Sequence, residues 1–233
     1  MTQNTDDLEV EEIALNLELA DFYRKDLFSF AKHCLGYEQM TIGTHKPICD
    51  KLTSPSKKKL IVVPRGCFKS TICSIAYPIW LLINNPNHRI LLDSELFTNS
   101  SRLLREIKGH LEMRKLTDLF GVFRAENVWN DTEIIIKQRN KIHKESSIIC
   151  SGVGAQKTGQ HYTVCIADDL NSLDNSMSDE QCKKIINHYR LYISLLDPGG
   201  VLVVVGTRYS QGDLIGYLID NEINVKEKKG LVV

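Results

Sequence analysis

The chain has 233 residues, 42% of them hydrophobic and 25% charged, with 29 Lys and Arg balanced by 29 Asp and Glu. That composition excludes a disordered, collagen-like or coiled-coil protein and suits one α/β domain, or at most two small ones. Zero net charge argues against a surface that is basic throughout, while leaving room for a local basic patch.

In chain order, the N-terminus is acidic. No Lys or Arg precedes Arg24, whereas Asp6, Asp7, Glu9, Glu11, Glu12, Glu18 and Asp21 do, so this is not a secretory signal. The longest apolar run, Ala76 to Ile83, contains Pro78 and falls far short of the ~20 residues a membrane helix needs. Seven cysteines, an odd number without a Cys-x-x-Cys pair, fit neither a disulfide framework nor a zinc ribbon. Cys73 and Cys165 lie inside apolar runs, where Cys acts as a small hydrophobe. The expectation is a soluble, reduced, cytosolic protein with no membrane partner.

Short β-rich runs alternate with longer amphipathic ones, which predicts a largely parallel sheet covered by helices. Leu60 to Pro64 is a strand candidate, followed by a helix from about Lys69 to Ile83 that Asn84-Asn85-Pro86-Asn87 closes. Arg89 to Asp93 is a second strand. Thr98 or Asn99 then caps a helix through Leu103, Leu104, Ile107 and Leu111. Glu133–Arg139 and Ser147–Cys150 read as a hairpin around Asn140-Lys141. Thr163 to Asp168 is a buried strand ending in acid, and Ser178-Asp179-Glu180-Gln181 opens a helix running to Leu196. Asp197-Pro198-Gly199-Gly200 is a turn leading into the most hydrophobic strand, Val201 to Thr207.

Three segments carry chemistry. In the first, a strand runs through Pro64-Arg65-Gly66-Cys67-Phe68 into Lys69-Ser70-Thr71 at a helix start, a geometry that aims backbone N–H groups and the positive helix end at an anion. Lys69 would reach the β- and γ-phosphates of a nucleotide, and the Ser70 hydroxyl would ligate Mg²⁺. The usual phosphate-loop spacing would place glycines at 63 and 68, where this chain has Val63 and Phe68. In the second, the apolar run Val164 to Ala167 ends in Asp168-Asp169, with the first acid on the Mg²⁺ side and its neighbour placed to orient water. Such ligands sit at the carboxyl ends of strands, where both segments would converge. Together the two favour a nucleotide hydrolase.

The third segment, Val203-Val204-Val205-Gly206-Thr207-Arg208 followed by Asp213-Leu214-Ile215-Gly216, resembles the large terminase subunit of tailed bacteriophages. The Pro-Arg-Gly-x-x-Lys-Ser-Thr form at 64–71 and Gly159-Gln160-His161 before the acid strand are similar to that family too, so the resemblance spans roughly Phe28 to Gly216. It implies an α/β P-loop NTPase of the ASCE type whose ATP hydrolysis drives double-stranded viral DNA into a procapsid. ATP and Mg²⁺ would bind at Pro64 to Thr71, with Ser70 and Asp168 on the metal. Arg65 would approach the γ-phosphate in cis. Asp169 stands where many terminases place a catalytic Glu, with Asp174 as an outside candidate. Gly206, Thr207 and Arg208 match the coupling motif. Lys157 lies where terminases often carry an arginine that reaches a neighbour's ATP, with a solvated loop lysine as the alternative. His45 stands where the family holds residues near adenine, with a surface or capping His as the alternative.

Other features have plain readings beside functional ones. Cys67 is either redox-sensitive or merely fits its loop. The Lys57-Lys58-Lys59 run is either a contact to DNA phosphates or a solvated loop. Trp80 and Trp129 read as packing. The rivals to a packaging motor are another P-loop enzyme, helicase or kinase, and a degenerate nucleotide-binding assembly module. The resemblance also implies a portal protein and a small terminase subunit as partners, and a homo-oligomeric ring of five on the procapsid, monomeric in isolation, in the cytoplasm of an infected bacterium. The expected organisation is a helical lead-in over 1–55, an ATPase core over 56–221, and over 222–233 the start of a linker to an absent nuclease domain. Nuclease activity is not expected from these residues alone.

Overall fold

Strands that are apolar on both faces need cover on both, and parallel strands joined by helical crossovers supply it. The computed structural model describes residues 3–155, 159–223 and 231–232. Its strands are β1 (Lys58–Val62), β2 (Ile90–Ser94), β3 (Arg124–Trp129), β4 (Glu133–Ile136), β5 (Ile148–Gly152), β6 (Tyr162–Asp168), β7 (Leu196–Gly206) and β8 (Leu231–Val232). They form one sheet in the order β3-β4-β5-β2-β6-β7-β1-β8. The pairs from β5 to β8 are parallel, and the β3–β4 and β4–β5 pairs at one edge are antiparallel. The fold is therefore the expected mainly parallel α/β sheet. One strand, β7, lies between β1 and β6.

The helices are α1 (Gln3–Lys25), α2 (Leu27–Ser29), α3 (Ile42–Thr53), α4 (Tyr77–Asn84), α5 (Phe97–Leu111), α6 (Arg114–Phe120), α7 (Asp179–Leu195) and α8 (Leu214–Leu218). Successive strand residues point to opposite faces, so each strand feeds two cores. On one face Ile61, Ile90, Leu92, Val164, Ile166 and Val203 pack with Ile48 of α3, Ile79 of α4 and Leu104 of α5. On the other, Leu60, Leu91, Cys165, Leu202 and Val204 pack with Ile185 and Tyr189 of α7 and Leu214 of α8. The lead-in joins the first core through Tyr23, Leu27, Phe28 and Phe30, and Trp80 Nε1 donates to the Tyr23 carbonyl at 3.0 Å. Six of the seven cysteines are buried. Among the described residues no helix is long and apolar enough to cross a membrane.

Four details differ from the sequence reading. Strand β3 is an additional strand, because its exposed polar residues carry little strand signal. The pairing of 133–134 with 148–149 is antiparallel as expected, yet β4 also pairs with β3. Helix α5 starts at Phe97 with Leu96 as its cap, ahead of Thr98 and Asn99. Residues 197–200 lie within β7 as a bulge: Tyr162 pairs with Leu196 and Val164 with Val201, so extra residues are looped out on β7.

What positions the site is the register. Val62 pairs with Gly206, Val205 with Asp168, and Asp168 with Ser94. The carboxyl ends of β1, β7, β6 and β2 thus finish on one line.

Candidate nucleotide site

The segment after β1 turns through 63–68 before helical structure begins at Lys69. Gly66 takes φ +83°, and a Cβ there would meet nothing within 4 Å, so the backbone angle alone asks for glycine. Phe68 takes φ +52°, the left-handed region that the missing glycine would occupy freely. Its ring packs edge-to-face on His45 at 5.4 Å, and this contact anchors a strained backbone. His45 is buried and its Nδ1 accepts from the Thr41 N–H at 2.8 Å, so it caps α3 and supports the loop from below. Cys67 is half-buried in the loop. The helical run then continues through a π-turn, Thr71–Ala76, into α4, and its first N–H groups face the loop.

The acids arrive on β6. Asp168 is buried, and its Oδ1 accepts from Ser70 Oγ at 3.1 Å. Burial, and secondly the charge of Asp169, raise its pKa to about 6, with the Ser74 and Ser70 hydroxyls and Lys69 pulling the other way. Asp169 takes φ +46°; it and Phe68 are the two non-glycine residues with positive φ among the described residues, and both lie here. Its amide is held by the Val205 carbonyl at 2.9 Å. Its Oδ2 lies 3.5 Å from Lys69 Nζ, while Oδ1 is buried with no hydrogen-bond partner. An unpartnered carboxylate oxygen costs about 1–3 kcal/mol, so its place here asks for a ligand that is not protein.

The third strand closes the cluster. Lys69 Nζ donates to Thr207 Oγ1 at 3.1 Å, so the loop lysine bridges the residue after β7 and the acid after β6. Arg65 is exposed and donates to the Tyr209 hydroxyl, with its guanidinium 5.6 Å from that ring's centre. Hydrogen bonding to Tyr209 and the charges of Tyr209 and Asp169 raise its pKa further. Arg208 is exposed, and its Nε donates to the Ser210 carbonyl at 3.3 Å.

Pro64 to Thr71, Asp168, Asp169 and Gly206 to Arg208 thus gather at one edge. His45 touches the loop through Phe68. Asp174 sits exposed in a short turn, Asp174–Ser176, and takes no part in the Lys69 cluster. Lys157 and residues 224–230 of the expected linker lie outside the described residues. Lys59 is not a DNA contact: it is buried, donating to the carbonyls of Lys51 and Ser54 at 3.2 and 2.6 Å. Lys58 pairs with Glu222 at 2.9 Å.

Three roles escaped the sequence reading. Tyr209 is the partner of Arg65. Asp213, fully buried, accepts from the amides of Tyr209, Ser210 and Gly216 at 2.7, 3.1 and 2.8 Å and so folds the loop that carries Tyr209. An Asp just before an apolar helical run was the available signal. Glu95, beyond β2, holds the loop after Asp169 by accepting from Ser172 and Asn175 at 2.7 and 2.9 Å; nothing in its sequence context marks that contact.

The donors suit Mg²⁺ with a polyphosphate. Ser70 and Asp168 offer adjacent hard oxygens. No cluster of three His, Cys, Asp or Glu placed to hold a metal occurs among the described residues. Mg²⁺ on a nucleotide needs no such cluster, because phosphates and water fill its remaining positions.

No protein-family model matches the chain, and comparison with curated proteins finds no match. Among solved structures the chain is similar to one from Saccharomyces cerevisiae, a Dbp5 variant bound to Nup159, a Gle1 variant, IP6 and ADP, with 8% identity and a TM-score of 0.47. The match covers 83% of this chain and 49% of the other, so this chain spans about half its length.

Proposed function

We propose that this chain hydrolyses ATP as the motor domain of a terminase-type enzyme that drives double-stranded DNA into a viral procapsid. The observation that carries the hydrolase reading is the joining of three strand ends through one ammonium group: Lys69 touches both Asp169 and Thr207, beside the Ser70–Asp168 pair. The order of motifs along the sequence supports the packaging reading.

When bound, Mg²⁺ held by Ser70 and Asp168 would supply charge neutralisation for the β- and γ-phosphate oxygens. Lys69 holds the same phosphates from the helix start, and the loop amides add fixed dipoles. Asp169 offers Oδ1 to the attacking water, positioning it in line and drawing its proton. Catalysis here rests on positioning and electrostatics rather than covalent chemistry. Thr207 hydrogen-bonds Lys69, so a change in what Lys69 holds is felt at the end of β7, and through Asp213 at α8. Arg65 leaves Tyr209 to meet developing charge, which ties the loop's state to the segment after β7. A ring of such subunits, five on a portal, with a small subunit presenting DNA in the cytoplasm of an infected bacterium, completes the reading.

The test is steady-state phosphate release with and without duplex DNA. Stimulation by DNA with no transfer to a small acceptor supports the translocase. Phosphoryl transfer to an added acceptor, or turnover indifferent to DNA, contradicts it.

A further inference from the structure

The sheet has a second feature, at its other end. The β3–β4 hairpin and the segment after it enclose an open cleft of about 510 Å³ lined by Arg124, Lys137, Arg139, Lys141 and His143, with Glu126 as its one acidic residue. In a chain of zero net charge this is a concentration of cations. Few are neutralised. Arg124 pairs with Glu112 at 2.9 Å, but the ammonium groups of Lys137 and Lys141 have no acidic partner among the described residues. Arg139 spends its Nε on the Lys141 carbonyl at 3.1 Å, and one of its terminal nitrogens is buried without a partner. Glu145 lies 3.5 Å from Arg89 and accepts from the His161 amide at 2.9 Å, so its charge reaches Arg139 and His143 without a direct ion pair to either. Burial first, then Arg89, Arg139 and Lys141, lower the pKa of His143 against an opposing effect of Glu145.

The cleft cannot be part of the nucleotide site. Five strands separate β3 from β1, which at about 4.8 Å per strand spacing is roughly 29 Å. The end of β4 also lies where β5 begins, at the edge opposite the phosphate loop.

We propose that this cleft is a contact surface for the phosphate backbone of duplex DNA, independent of base sequence. The inference rests on the translocase reading for its choice of polyanion, and its chemistry is that of unpaired Lys and Arg. Each phosphate contact releases a condensed counterion, so affinity must fall steeply with salt. A backbone grip without base readout is what a motor needs to move along any sequence.

The test is fluorescence anisotropy of a labelled duplex against salt, using wild type and the triple variant Lys137→Ala, Arg139→Ala, Lys141→Ala. Loss of these contacts should weaken binding roughly tenfold or more at physiological salt, and should reduce the slope of log affinity against log salt by about 2–3. Lys184→Ala, an exposed lysine on α7, should change neither. Thermal melting and basal phosphate release keep the result interpretable, because none of these residues belongs to the nucleotide site. An unchanged slope in a folded variant with normal basal turnover overturns the cleft and leaves the hydrolase standing. A lost slope in a protein that never hydrolyses ATP keeps the cleft and removes the motor. Should inorganic polyphosphate or an acidic protein bind there while DNA does not, the proposal is wrong.

Discussion

Two aspartates side by side, one lysine between two strand ends, and one unsatisfied oxygen define the site at the scale of single residues. Asp168 and Asp169 repel, and the Ser74 and Ser70 hydroxyls together with Lys69 offset this only in part. Asp169→Asn should therefore lower phosphate release about a hundredfold or more and yet stabilise the nucleotide-free protein by about 1 kcal/mol. In a chain of this size that is a rise in melting temperature of roughly 2–4 °C. A lower melting temperature would show that the pair is not under electrostatic strain. Lys59 gives a second residue-scale prediction. Burial, and secondly Lys51 and Lys57, lower its pKa to about 8, from 10.5 in an ordinary setting. Below pH 8 the folded state carries the full penalty of this buried charge. Between pH 8 and 10.5 the unfolded chain holds the proton that the folded one has released, so stability from this group rises with pH. Urea unfolding of wild type and Lys59→Met across that window should show the wild-type rise, with the variant flatter. Parallel curves would contradict it.

At the scale of elements, the loop after β7 is built by Asp213 and Gly216. A Cβ on Gly216 would stand 2.1 Å from the Gln211 carbonyl oxygen, which is backbone and cannot step aside. Gly216→Ala should thus cost about 3 kcal/mol or more, whereas Gly66→Ala, which meets no atom, should cost only the roughly 1 kcal/mol of a left-handed backbone angle. Thermal unfolding of both variants ranks them; equal losses would contradict this account of the loop. The same elements show what was legible in sequence. The apolar runs of β1, β2, β6 and β7 and the acids ending β6 were readable because strands buried on both faces leave an unbroken signature. Ser178 was readable as a cap because its side chain accepts from Gln181 three residues on. The pairing of Lys69 with Thr207 and of Arg65 with Tyr209 was not, since each contact spans more than a hundred residues and is made only by the register of β1 on β7. Phe68 looked like a departure from the loop pattern. The fold shows the same backbone conformation reached at some strain and held by His45.

For the whole molecule, the sheet separates two jobs. Its carboxyl edge collects the nucleotide groups, and its amino edge at the β3–β4 hairpin collects unpaired cations. The proposed motor would need these sites apart, so that hydrolysis at one could move a polymer held at the other. The zero net charge then reflects local balance, with acid concentrated in the N-terminal region and base in the cleft. The central claim, that Lys69 and Asp169 form the working end of an ATP hydrolase, is tested most directly by the rate of γ-phosphate release in wild type, Lys69→Ala and Asp169→Asn with Mg²⁺ present. The account predicts measurable turnover in the wild type and a fall of about a hundredfold or more in each variant. Turnover that survives both substitutions would contradict it.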